Sequence, residues 1–404
     1  MKPKCPLNPH LLNSEASANS PQNWGARGAG DFQSLIKISP QSWGARGEKL
    51  ILWITLLTLI TIFFPTIVQA QTNRIVEIEG EATIKKKDES QERSATVGTE
   101  LELGDLLTTQ AGTVVWVRCA DGKLKKADSG VPSGLKAICP NATPSTQARA
   151  EDIFLDLLFG RFAFATQVLE AQPLLKWEAI SGVTNYQVQI LKDDNIIWQT
   201  NVNGTEIRYE GTALEPGIDY QLRVTPANAQ DNQSIYELWL MRLDAATAEK
   251  VQATVAEIET EEVGEEAKAL ILVDFYREVG LSDEAEDQPG LLLSAIASLE
   301  ILIQQGNSTS VVYRLLGELY LLTGQLQQSE IRYQEAIKLA KQSENLAEQT
   351  EAEIGLAHVY AAMGKLAESR QMLETALKQY QVLGNQDRIT VVQQWLERVR
   401  RKEN

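Results

Sequence analysis

Few side chains in this sequence have types suited to chemistry. The 404 residues include two histidines, His10 and His358, and three cysteines, Cys5, Cys119 and Cys139. Two isolated imidazoles exclude most His-based metal sites and leave little for His-dependent catalysis. His358, with no cysteine near it, reads as a packing or partner-contact residue. Cys119 and Cys139 stand with nineteen residues between them. A zinc site needs two more ligands, and none is near. In an exported chain such a pair reads as a disulfide, whose loop would add about 3 kcal/mol of stability. The sequence carries no glycine-rich phosphate loop, no Ser/Cys–His pairing and no carboxylate dyad. The expectation is a non-enzymatic chain with no catalytic residue, metal or cofactor.

Charge narrows the partners. Lys and Arg total 38 against 54 Asp and Glu, a net −16. Nucleic acid is held by dense Lys/Arg surfaces, so it is not an expected partner. Apolar residues at 43% and charged residues at 23% describe an ordinary globular chain, and its length suggests two to three domains. The balance is uneven: residues 1–70 carry a net +3, which leaves −19 for residues 71–404.

That basic start leads into Leu50–Phe64, fifteen uncharged residues preceded by Arg46 and Lys49. Pro65 follows, and Val68 and Ala70 fit the small-residue positions of signal cleavage, with Gln71 as the mature start. The alternative is an uncleaved anchor, since Leu50–Val68 is nineteen residues, close to the roughly 20 that span a bilayer. Residues 49–70 are therefore a signal peptide or a transmembrane helix. Either way residues 71–404 are exported, to the periplasm or to its face of a membrane. Residues 1–48 are a low-complexity extension. Ser20–Gly28 recurs as Ser39–Gly47 at a period of 19, either a translated repeat or a cytoplasmic binding motif.

Residues 72–140 read as β structure: Val76, Ile78, Ala82 and Ile84 alternate with polar residues, and Val114–Val117 runs to an Asp121-Gly122 turn. The stretch Gly98–Thr109, with Leu101, Gly104, Asp105 and Leu107, followed by that strand and turn, resembles the FecR-type domain. The resemblance implies a periplasmic β domain for protein or polysaccharide contact or signalling, without catalytic residues. Residues 141–171 are a linker, in which Ile153, Leu155, Leu157, Leu158 and Phe159 suit a short amphipathic helix packed between domains. Residues 172–243 carry six strands at short spacing, Leu174–Trp177, Tyr186–Leu191, Ile196–Val202, Thr205–Tyr209, Tyr220–Thr225 and Tyr236–Leu243. Pro173–Trp177 and Leu214–Val224, with Pro216, Gly217 and Tyr220, resemble a fibronectin type III module of the immunoglobulin-like sandwich class. There Trp177 is a core residue and Tyr220 a corner residue bonded to upstream backbone.

Residues 244–404 repeat. Tyr320, Gly324 and Ala336 recur 40 positions on as Tyr360, Gly364 and Ala376. Ala295, Leu299 and Leu302 precede Ser329, Tyr333 and Ala336 by 34. Tyr313, Leu316, Gly317 and Tyr320 resemble the tetratricopeptide repeat signature. The units are about 266–305, 310–343 and 350–383, with a capping helix at 386–401. The period of 40 is read as second helices lengthened through Lys341–Gln349. The resemblance implies a concave partner-binding face formed by first helices, here Val311, Arg314, Glu318, Leu321 and Leu322, then Glu351, Ile354 and His358. The expected fold class is multidomain α+β, and the expected function an exported interaction scaffold whose protein partner the sequence leaves open. Self-association through the same face, membrane attachment through residues 50–68, and a membrane-anchored FecR-type sensor are the alternatives.

Overall fold

The computed structural model describes residues 73–403, apart from 88, 90, 143–147, 161, 228–235, 280–288 and 308. The extension, the export segment 49–70 and the membrane contact through 50–68 lie outside these residues. Among the described residues no helix is long and apolar enough to cross a membrane. All of them belong to one compact unit, Thr66–Asn404.

The first module is two four-stranded sheets. One runs β4 (Glu100–Leu101), β1 (Asn73–Glu79), β6 (Val114–Arg118), β7 (Leu124–Lys126). The other runs β3 (Arg93–Ser94), β2 (Ala82–Lys85), β5 (Leu106–Thr109), β8 (Ser133–Gly134). Ile75, Ile84, Leu107, Val115 and Val117 close the core between them. The alternation expected around Val76 breaks at β1, where Ile75 and Val76 are both buried. Successive strand residues point to opposite faces, and a register shift between Ile75 and Glu77 interrupts the ladder here. Ile75 joins the β core and Val76 a helical one, because this strand is covered on both faces. Cys119, just past β6, is bonded to Cys139, just past the one-turn helix α1 (Leu135–Ile138), with Cα atoms 5.5 Å apart.

The segment read as linker holds helix α2 (Ala148–Phe159) and strand β9 (Ala165–Val168). β9 pairs in parallel with β15 (Tyr236–Arg242) and completes a five-stranded sheet, so the second module begins within the expected linker. Its order is β12 (Asn195–Asn203), β11 (Asn185–Lys192), β14 (Asp219–Pro226), β15, β9. A two-stranded sheet of β10 (Leu174–Lys176) and β13 (Glu206–Arg208) faces it. Trp177 is buried in the core edge-on to Tyr186, and the Tyr220 hydroxyl accepts from the Glu215 amide at 3.0 Å. Both are structural roles.

Among the described residues eight helices follow: α3 (Ala245–Glu259), α4 (Glu265–Glu278), α5 (Leu292–Gln304), α6 (Ser310–Leu322), α7 (Leu326–Gln342), α8 (Leu346–Ala362), α9 (Leu366–Leu383) and α10 (Gln386–Glu403). Consecutive helices from α4 onward pack in pairs, so the all-helical region fits a tetratricopeptide-type array. Gly324 and Gly364 end α6 and α8 at φ +78° and +73°, the left-handed conformation their place in the repeat requires. Two buried serines tie the helices of successive pairs together. Ser329 Oγ donates to Gly317 O at 2.6 Å and Ser369 Oγ to Ala357 O at 2.8 Å, the same bond in successive units. Residues 341–349 are not one continuous helix. Glu344 turns the chain at φ +54°, and the Asn345 side chain accepts from the Glu348 amide at 3.1 Å. The added length of the repeat belongs partly to the first helix, α8.

Candidate protein-binding groove

First-helix side chains form a ladder of ion pairs from unit to unit. Arg277 on α4 meets Glu318 on α6 at 2.6 Å, and Arg314 on α6 meets Glu348 on α8 at 2.6 Å. Glu351 on α8 accepts from the Tyr380 hydroxyl at 2.6 Å and lies 3.8 Å from Arg388 on α10. Burial pushes the Glu351 carboxyl up, but Arg388, Tyr380 and Arg314 outweigh it and leave the group below its ordinary range.

This face is not open. The β module lays its Thr96–Glu100 turn across it: Gly98, at φ +85°, presses on Val311, whose methyl group a Cβ there would overlap. Val311 is accordingly buried, 3% exposed. Glu100 points its half-exposed carboxylate at the arginines. Burial opposes its ionisation, yet Arg74, Arg314, Arg277 and Arg388 together hold it below the usual carboxylate range. On the other side α2 lies in the groove. Phe154 and Leu158 are fully buried against Ile354, Ala357, Trp395 and Leu396, and Leu157 packs with Leu321 and Leu356. Phe154 meets His358 and Trp395 as tilted ring pairs, with centroids 4.8 Å and 5.1 Å apart. The Lys402 ammonium donates to Leu158 O and caps the end of α2.

Between these two plugs a cavity of about 340 Å³ remains. Arg314, Glu318, Leu321, Leu322, Glu351, Ile354 and His358 all line it, and Val311 sits beside it beneath Gly98. The structure therefore brings the expected face together, but covers its apolar members with the chain's own segments. Leu321→Glu or Ile354→Glu would bury a carboxylate in the chain's own core rather than block a partner. Among the described residues no cluster of His, Cys, Asp or Glu that could hold a metal ion includes His358. Its Nε2 is buried without a hydrogen-bond partner, and burial, reinforced by Arg388, pushes its pKa down to about 3.

Sequence reasoning missed Arg277, Arg388 and Glu100, which reach the groove from outside the two units singled out. It also missed a buried charge cluster that joins β1 and β6 to α4. Arg74 meets Asp274 at 3.3 Å and Arg118 meets Glu278 at 3.8 Å, with all four side chains buried. Burial pushes Glu278 up to about 8 despite Arg118. The second module is fastened to the array as well: the Tyr236 hydroxyl donates to Thr323 O at 2.9 Å, and the Gln167 amide to Gly290 O at 2.9 Å.

No family model matches the chain, and no curated protein is significantly similar to it. Among solved structures, TTC0263, a thermophilic TPR protein of Thermus thermophilus, is 20% identical, with 37% of this chain and 70% of that one covered, at a TM-score of 0.28. MamA is 19% identical over 39% of this chain and 85% of its own, at 0.24. BtubC from P. vanneervenii is 18% identical over 37% and 60%, at 0.26. Scores of this size carry no argument for the present chain, whose array is defined by its own helix pairs and turns.

Proposed function

We propose that this chain is a non-catalytic, exported interaction scaffold: a FecR-like β module and a fibronectin III-like sandwich packed on a tetratricopeptide-type array whose groove receives protein segments. The observation that carries this reading is the groove's content. It accommodates an amphipathic helix through Phe154, Leu157 and Leu158, and a β turn through Gly98, beside a ladder of paired charges. A surface that accepts such segments within the chain has the chemistry to accept a partner's apolar anchors in a charge-paired frame. The acidic body, net −19 over residues 71–404, disfavours strongly acidic partners.

The test exchanges one rung of the ladder. In the full chain, Arg277→Glu with Glu318→Arg keeps the pair but reverses its polarity at the cavity wall. Proteins co-purifying with the native chain are expected to be lost from this variant while its circular dichroism is unchanged. Retention of every partner by the folded variant would refute binding at the groove.

A further inference from the structure

The helix that occupies the groove fills it incompletely. α2 packs against α8 and against the final helix α10. Phe154 and Leu158, four residues apart, share one buried cluster, and Leu157 joins the next with Ile153 beside it. Ile153 also borders the cavity of about 340 Å³, and so do His358 and Trp395, the two rings that meet Phe154. The His358 Nε2 is left buried without a hydrogen bond, which costs free energy. A cleft adapted to α2 alone would be filled, with its polar atoms bonded.

α2 is also separable from the other modules. Arg74 with Asp274, and Arg118 with Glu278, fasten the β module to the array. Tyr236 with Thr323, and Gln167 with Gly290, fasten the sandwich. None of these contacts involves α2, so the helix can leave while both modules stay docked. Its departure uncovers Ile354 and Ala357 on α8 and Trp395 and Leu396 on α10, an apolar cleft that water does not satisfy. Twelve residues make a marginal helix in water, so α2 in turn depends on the cleft. Lys402 sets the polarity of whatever lies there. Its ammonium donates to Leu158 O and sits 5.7 Å from the Phe159 ring centroid, where a helix C-terminus is favoured.

We propose that α2 is an exchangeable occupant, and that an amphipathic helix of a partner protein takes its place between α8 and α10. That helix carries large apolar side chains at the places of Ile153, Phe154, Leu157 and Leu158, with its C-terminal end at Lys402. The inference rests on the reading of the groove as a protein-binding surface. α2 then acts as a threshold, because a tethered segment competes at an effective concentration of roughly millimolar. A partner prevails by doing what α2 does not, filling the cavity beside Ile153 or bonding His358.

The experiment uses the full chain and, as probe, a labelled synthetic peptide with the sequence of residues 148–159. The native chain is expected to bind it weakly. At millimolar peptide, amide exchange should quicken in the chain's own α2 while α8 and α10 stay protected. A Phe154→Ala chain should bind the peptide at least tenfold more tightly, and binding should return the His358 imidazole NMR signals to their native positions. A peptide that itself carries Phe154→Ala should bind either chain at least tenfold more weakly. Should the Phe154→Ala chain fail to fold by circular dichroism, Leu157→Ala weakens α2 from the neighbouring cluster and makes the same comparison. Equal affinity for native and weakened chains, unchanged exchange in α2, or exchange of α2 with a second copy in place of peptide binding would each overturn the proposal. The ladder exchange Arg277→Glu with Glu318→Arg is scored separately. Partners lost there without peptide binding here refute the exchange of α2 alone, and peptide binding here with every partner retained there refutes the ladder site alone.

Discussion

Phe154→Ala tests whether α2 closes the groove. Phe154 is fully buried, with its ring against both His358 and Trp395, which also touch each other. Removing a ring from such a site costs about 3–5 kcal/mol, transfer and cavity terms together. The loss should appear first as local opening, with faster amide exchange in α2 and along the faces of α8 and α10 that it covers. His358 supplies a second readout, because the chain has one other histidine, His10. Its folded pKa is depressed to about 3 by burial first and by Arg388 second. Between pH 6.5 and 3 the unfolded chain binds a proton at this residue that the folded chain does not. Stability from this group is therefore fully present above pH 6.5 and is lost as pH falls, by up to about 1.4 kcal/mol per unit. Phe154→Ala is expected to move the His358 titration, followed by NMR, back toward 6.5 and to flatten the acid slope. A wild-type His358 titrating near 6.5, or a variant with unchanged titration and exchange, would refute the account of α2.

Three further outcomes are expected. Glu278, pushed up to about 8 by burial, binds a proton in the folded chain between pH 4.5 and 8 that the unfolded chain releases. Its contribution therefore favours the fold at the acid end and declines as pH rises through that window. Glu278→Gln should leave stability at pH 7 nearly unchanged and remove this decline in urea-unfolding series. Unreduced peptide mapping should recover the Cys119–Cys139 link, and reducing it should cost about 3 kcal/mol; two free thiols in freshly isolated protein would contradict the pairing. N-terminal sequencing of the native protein should begin at Gln71, or the intact chain should stay with membranes; a soluble cytoplasmic chain with an intact N-terminus would exclude export.

Local pattern was enough to place most elements. Tyr186, Val188 and Ile190 alternate because β11 buries one face, and Tyr320/Tyr360 with Gly324/Gly364 recur because each helix pair must turn and pack alike. Sequence separation hid what closes the groove. Phe154 and His358 lie far apart in the chain, and nothing local to either names the other. Ile153, Leu155, Leu157, Leu158 and Phe159 announced an amphipathic helix, but periodicity does not say which surface such a helix covers. Arg74, Arg118, Asp274 and Glu278 each look like ordinary surface charges in their own segments. They are buried because β1 and β6 meet α4, and a charge leaves water only where another element brings its partner. The sequence by itself determined that paired helices follow a strand-rich half, and it picked out several of the first-helix residues that line the cavity. The tertiary structure decided that this face is covered by the chain's own helix and turn, because apolar side chains at i and i+4 on one segment and a first-helix surface on another bury more area together than either does alone.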